Sequence, residues 1–132
     1  MVFADTNIVV YAYGVDPVKL DPAKSIVNAS PVISTQVINE FHNVARRKLG
    51  LDMPTRHRVA ADLLQSCRVI AVDQSIVAAA MQIEARYQLS YWDALILAAA
   101  LAAGCDTLYS EDMQDGQVFE GRLTIKNPFT HP

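Results

Sequence analysis

Five carboxylates stand where a folded chain could gather them into one site: Asp5, Glu40, Asp93, Asp112 and Asp115. Asp5 follows the short apolar run VFA at 2–4. Asp112 and Asp115 follow the run TLYS at 107–110, and Asp93 precedes a long apolar run at 94–103. Carboxylates held close together repel and raise one another's pKa, so a fold tolerates the arrangement only if something cationic fills the gap. Oxygen-only ligands favour a hard ion, Mg²⁺ or Mn²⁺, and an ion that keeps several waters needs few carboxylates. Each acid also has a purely local reading. Asp93 lies three residues after Ser90, as in a helix capping box, and its charge suits a helix N-terminus. Asp5 in DTN is a turn or cap candidate, and SEDMQDG at 110–116 reads as a solvated turn.

The acids are positioned by an alternation of short β-like runs with helical patterns. The strand candidates are 2–4, PVIS at 31–34, RVIAV at 68–72, 107–110 and LTIK at 123–126. They are short, apolar and β-branched, as strands buried on both faces are. Helices are expected at 35–49, 55–65, 74–87 and 90–103, with short ones at 8–13 and 22–29. Thr35 and Asp73 are cap candidates at helix starts, Pro54 stands just ahead of one helix, and Gly50 and Gly104 stand at helix ends. Strands alternating with helices imply a parallel sheet covered on both sides, with ligands at the carboxyl ends of its strands. Asp5, Asp93, Asp112 and Asp115 all fall on that rim. On the helix at 35–49, at about 100° per residue from Val37, Glu40 falls near 300°, on the border of the apolar stripe of Val37, Phe41 and Val44. Arg47 lies about 20° from Glu40, two turns further along the same edge.

The bulk numbers bound what this arrangement can serve. The 132 residues suit one domain, 1–132, and 52% apolar against 19% charged residues is a globular composition. Cys67 and Cys105 are far apart and in no metal or redox pattern, so they read as reduced intracellular thiols. MVFADTNIVV has no basic signal-peptide start, and 94–103 is about half of a membrane span, so a soluble cytoplasmic protein is expected. The formal net charge of −3 speaks against non-specific DNA binding but not against a nucleic-acid enzyme whose site carboxylates are neutralised by metal. His42, His57 and His131 have no zinc-ligand spacing, the 110–116 segment breaks the EF-hand pattern, and no phosphate-binding glycine loop or nucleophile elbow is present.

Four blocks, DTN at 5–7, NEF at 39–41, YWDALILAAA at 91–100 and LYSEDMQDG at 108–116, with NPF at 127–129, resemble the PIN-domain nucleases and within them the VapC-type ribonuclease toxins of bacterial toxin–antitoxin pairs. The resemblance spans essentially the whole chain. It implies an α/β/α sandwich around a five-stranded parallel sheet, and an acidic quartet of Asp5, Glu40, Asp93 and Asp112 around divalent metal, with Asp115 additional or alternative. It puts the acid two residues after Ser110, at Asp112 rather than Glu111. Asp5, Asp93 and Asp112 are the expected metal ligands, and the hydroxyls of Thr6 and Ser110 are expected to orient carboxylates or water. No acidic position of the pattern is missing.

The reaction so implied is metal-assisted hydrolysis of an RNA phosphodiester. Water rather than the ribose 2′-OH attacks, leaving 5′-phosphate and 3′-hydroxyl ends. Arg47 and Arg46 are the candidate phosphate contacts, the alternative for Arg46 being a solvated helix end. Tyr11, Tyr13, Tyr91 and Trp92 are either base-stacking groups or core and interface aromatics. The resemblance further implies a homodimer and a cognate antitoxin that lays a helix or extended tail across apolar surface. The competing readings are a non-catalytic PIN-like module that binds RNA or protein, and a phosphatase or receiver domain. Asn7 stands where a haloacid-dehalogenase-type phosphatase wants its second aspartate, and the paired acids and lysine of a receiver are not evident.

Overall fold

The computed structural model describes residues 1–130; His131 lies outside them. Three strands at the centre are nearly all buried: β1 (Val2–Ala4), β2 (Val32–Ser34) and β4 (Thr107–Tyr109). With β3 (Arg68–Ile70), β5 (Val118–Phe119) and β6 (Leu123–Lys126) they form one sheet in the order β3-β2-β1-β4-β6-β5. All neighbours run parallel except β5, which pairs antiparallel with β6.

The helices are α1 (Thr6–Ala12), α2 (Leu20–Asn28), α3 (Thr35–Lys48), α4 (Met53–Ser66), α5 (Gln74–Tyr87) and α6 (Tyr91–Ala102). The chain steps from β1 to β2 to β3 in one direction through α1–α4, then returns across them to β4 through α5 and α6. Right-handed crossovers therefore place α1–α4 on one face and the α5–α6 pair on the other. The α/β sandwich expected from the sequence is the fold observed, with helices on both sides of a mainly parallel sheet. Its core is continuous: Phe3, Ile33, Leu108 and Ile125 from the sheet meet Ile8, Phe41 and Leu97 from the helices, all wholly buried or nearly so. In α6, residues 94–101 are all buried, which explains its apolar sequence.

The sheet has six strands rather than five. The additional strand, β5, is two residues long, with Val118 exposed and Phe119 buried, too short to show a periodic pattern. Its hairpin turns through Glu120 (φ 52°) and Gly121 (φ 67°), closed by the Arg122 N–H donating to the Phe119 carbonyl. Two consecutive positive φ values are the mark of a type I′ hairpin turn, and Glu is an unusual first residue for it.

The helix starts follow side-chain capping. Asp73 caps α5 and Ser90 caps α6. At α3 the cap is Ser34, whose hydroxyl accepts from the Val37 N–H at 3.4 Å. Thr35, the expected cap, instead accepts from the Val72 N–H at 3.1 Å and ties the chain after β3 to the start of α3. At α4 the cap is Asp52, placing Pro54 within the first turn rather than ahead of the helix. Among the described residues no helix is long and apolar enough to cross a membrane.

Ser34 is wholly buried, so its loss leaves a helix N–H without a partner in a dry position. Ser34→Ala is expected to lower stability by about 1–2 kcal/mol in urea denaturation. A midpoint equal to wild type would contradict the capping assignment.

Candidate active site

The register of β1 and β4 builds the site. Ala4 lies opposite Tyr109, and the Asp5 N–H donates to the Tyr109 carbonyl at 3.0 Å, so the residues that follow each strand, Asp5 and Ser110, come out side by side. From β1 the chain leaves toward β2, and β4 lies on the other side of it, so this is the crevice where ligands bind in open α/β sheets. The Ser110 hydroxyl donates to Asp5 Oδ2 at 2.8 Å, and the Thr6 N–H donates to Asp5 Oδ1 at 2.7 Å. Asp5 is thus both the cap of α1 and the floor of the crevice, only 5% exposed.

Around it opens a cleft of about 510 Å³ whose walls include Thr6, Glu40, Asp93 and Asp112. Glu40 comes from the edge of α3, and its Oε1 accepts from the Thr6 hydroxyl at 2.6 Å. Asp93 projects from the first turn of α6, while its backbone N–H is taken by the Ser90 hydroxyl at 3.1 Å. Cap and cleft residue are therefore different residues of the same turn. Asp112 follows β4, with Oδ2 accepting from Asn7 Nδ2 at 3.1 Å. Arg47 lines the cleft on the same edge of α3 as Glu40, and Lys48 lines it as well.

Two expected site residues stand elsewhere. Asp115 does not line the cleft; its Oδ1 accepts from the Asn127 N–H at 2.8 Å, turning it toward the chain that leaves β6. Arg46 is exposed and also off the cleft, since it lies about 120° from Glu40 on the side of α3 away from the apolar stripe. Of the aromatics, Trp92 lines the cleft and is 62% exposed. Tyr11 also lines it, but its ring packs edge-on against Phe129 and its hydroxyl is bonded to Glu111. Tyr13 packs edge-on against Phe41.

One residue escaped the sequence reading as a site component. Asn7 spans the rim, its Nδ2 donating to Asp112 and its Oδ1 accepting from the Glu111 N–H at 3.2 Å. Its place in DTN was the available signal, but the partners lie more than a hundred residues away in sequence.

Burial pushes the Asp5 carboxyl up to about 7, against the opposing bonds from Ser110 and Thr6, with the charges of Asp93 and Asp112 adding to the rise. Asp93 is likewise raised, first by burial and then by Asp112 and Glu40, against the Ser90 bond. The four acids thus feel one another. The ion pairs among the described residues are Lys19–Glu111, Arg86–Glu120 and the amino terminus with Asp106, and none involves these four. The donors are all oxygens, which suits a hard divalent cation better than zinc. Among the described residues no group of three or more His, Cys, Asp or Glu side chains is arranged to hold a metal ion, so the four carboxylates share a cleft without forming a closed cage.

The PIN domain family model matches residues 2–114, and the chain belongs to that family. Among solved structures it is similar to VapC20 of Mycobacterium tuberculosis, a sarcin–ricin-loop-cleaving toxin (TM-score 0.71, 22% identity, 85% of this chain and 90% of that one). It is also similar to a toxin–antitoxin complex from Klebsiella pneumoniae (TM-score 0.74, 22% identity, 98% of each chain). A third neighbour is VapBC2 of Rickettsia felis bound to a promoter DNA fragment (TM-score 0.68, 18% identity, 96% and 98%). At these identities the likeness is one of fold. Among curated proteins none matches.

The raised pKa of Asp5 fixes a stability trend. In the unfolded chain an aspartate ionises near 3.8, in the native cleft near 7. The native state thus holds the proton more tightly, and metal-free stability falls as pH rises between those values. Asp5→Asn keeps the shape and removes the titration. Its stability relative to wild type is expected to rise steadily from pH 4 to pH 7.5 in thermal melts with chelator. A constant difference would contradict the assignment.

Proposed function

We propose that this chain is a divalent-metal-dependent endoribonuclease, the toxin of a toxin–antitoxin pair. The observation that carries the reading is the cleft: four carboxylates from four separate segments facing one space without ion-pair partners, at the crevice where open α/β sheets bind their ligands. Asp5, Asp93 and Asp112 would hold Mg²⁺ or Mn²⁺. A bound ion supplies Lewis acidity, activating water as a nucleophile and stabilising charge at the phosphate.

The remaining work falls to the chain itself. Ser110 and the Thr6 N–H fix both Asp5 oxygens, so its carboxylate is presented in one orientation. Thr6 holds Glu40 Oε1, which leaves Oε2 to accept a hydrogen bond from the attacking water and orient it. Arg47 and Lys48 neutralise phosphates of the strand beyond the acidic end, which would otherwise repel RNA. Trp92 offers an exposed ring for a base to stack on. The Klebsiella and Rickettsia neighbours are toxin–antitoxin assemblies. That likeness supports inhibition of this chain by a cognate antitoxin. A cytoplasmic homodimer is part of the same proposal and rests on the sequence resemblance alone.

Incubation of the purified protein with end-labelled single-stranded RNA and Mn²⁺ tests the reading. Cleavage with 5′-phosphate and 3′-hydroxyl products is expected, with Asp93→Asn folded but slower by about a hundredfold or more. Cyclic 2′,3′-phosphate ends, or full activity in Asp93→Asn, would reject it. An absence of cleavage with any divalent ion would favour the binding-module reading.

The two arginines separate in RNA-binding titrations at several salt concentrations. Arg47→Ala is expected to weaken RNA binding and to lower the slope of affinity against salt by about one charge, with Arg46→Ala close to wild type. Equal effects at both positions would remove the α3 edge from the proposed RNA path.

A further inference from the structure

At the margin of the cleft, with Tyr11 and Glu111 in its lining and Lys19 and Phe129 behind them, sits a compact polar and aromatic cluster that none of the roles above uses. Lys19 stands at the N-cap position of α2 without a side-chain capping bond, its backbone held by Asp16, whose Oδ1 accepts from the Val18 and Lys19 N–H groups. Its ammonium pairs with Glu111 Oε2 and donates to the Tyr11 hydroxyl at 3.1 Å. The same nitrogen lies 4.5 Å from the Tyr11 ring centroid and 5.6 Å from that of Phe129. Tyr11 in turn donates to Glu111 Oε1 at 2.8 Å. Both oxygens of Glu111 are therefore taken. The side chains of Lys19 and Glu111 are each 26% exposed, enough burial to distinguish this pair from a solvated surface ion pair.

The cluster reaches the acids through the backbone. The Glu111 N–H is bonded to Asn7, and Asn7 is bonded to Asp112. Glu111 and Asp112 are adjacent acids that both border the cleft. An unpaired Glu111 would add a further negative charge beside Asp112, Asp93 and Asp5, and its side chain would be free to compete for the same space. The ammonium of Lys19 cancels that charge, and the Tyr11 hydroxyl fixes its place. Phe129 packs edge-on to Tyr11 with ring centroids 5.2 Å apart, so the chain after β6 braces the same cluster.

We propose that Lys19 is a positioning residue for the cleft: by ion-pairing Glu111 against Tyr11 it holds segment 110–112 so that Asp112, not Glu111, is the acid presented beside Asp93. The consequence for catalysis rests on the nuclease reading; the consequence for the loop does not. Lys19 is not part of the cleft lining. It decides which of two neighbouring carboxylates serves.

Two readouts test this on Lys19→Met, Lys19→Arg and Lys19→Met/Glu111→Gln. Amide hydrogen exchange at 111–113 is expected to speed up about tenfold in Lys19→Met, with Phe3 and Leu108 within about twofold of wild type. In Mn²⁺-dependent cleavage kcat is expected to fall about tenfold with KM within about twofold, a split that a general loss of folding would not produce. Lys19→Arg should restore both to within about threefold. The double variant should restore kcat to within about threefold, since it removes the uncompensated charge, while exchange at 111–113 stays fast, since the pair is still missing. Exchange at 111–113 within about twofold of wild type in Lys19→Met would overturn the proposal, as would a double variant whose kcat is no better than that of the single one. Should Lys19→Met fail to fold, Glu111→Gln is read the same way, with faster exchange at 112–113 expected and unchanged exchange overturning it. If the wild type cleaves no RNA, the nuclease reading falls while the exchange pattern still decides the role of Lys19.

Discussion

The site depends on one unfavourable placement, a carboxylate in a nearly dry crevice. Asp5 is held there by two hydrogen bonds that favour its ionised form, while burial and two neighbouring acids favour the protonated one. The surrounding architecture is arranged to fix that balance. Pairing of β1 with β4 brings Ser110 to Asp5, the cap position of α1 brings the Thr6 N–H, and α6 begins where its first turn carries Asp93 toward the same space. A relaxed version of this cleft, with an acid exchanged for an amide, would fold at least as well. This mutual repulsion is what supports the proposal of a cation in the cleft.

The hydroxyls and amides of the rim do the orienting. Thr6 connects α1 to Glu40 on α3, Ser110 connects β4 to β1, and Asn7 connects α1 to the segment after β4. Each acid except Asp93 is thus fixed by a side chain from a different element, and Asp93 is fixed by its own helix, capped at Ser90. The edge of α3 then runs from Glu40 to Arg47, passing from negative to positive along one wall. A polyanion can lie along such a wall with its scissile bond at the acidic end and its flanking phosphates at the basic end.

Much of this was legible in the chain. Short β-branched runs marked the central strands, helical periodicity put Glu40 and Arg47 on one edge, and order along the chain put Asp5, Asp93 and Asp112 on one rim. What was not legible had physical causes. Ser34 and Thr35 are adjacent hydroxyls, either of which can cap a helix; only the position of Val72 decides that Thr35 is engaged elsewhere. A two-residue strand such as β5 carries no period. Asp112 and Asp115 lie in one polar turn, and the Asn127 N–H that claims Asp115 comes from the far side of β6. Asn7 and Lys19 act through partners about a hundred residues distant, a relation that no local pattern encodes.

The central claim is that the acidic cleft is a cation site whose charge balance turns on Asp5. Calorimetric titration with Mn²⁺, repeated in buffers of different ionisation enthalpy, counts the protons displaced on binding. With the Asp5 carboxyl near 7, binding is expected to release close to one proton at about pH 6 and few at about pH 8.5, where the group is already ionised. Failure of Mn²⁺ to bind, or proton release that does not change across that range, would contradict the account.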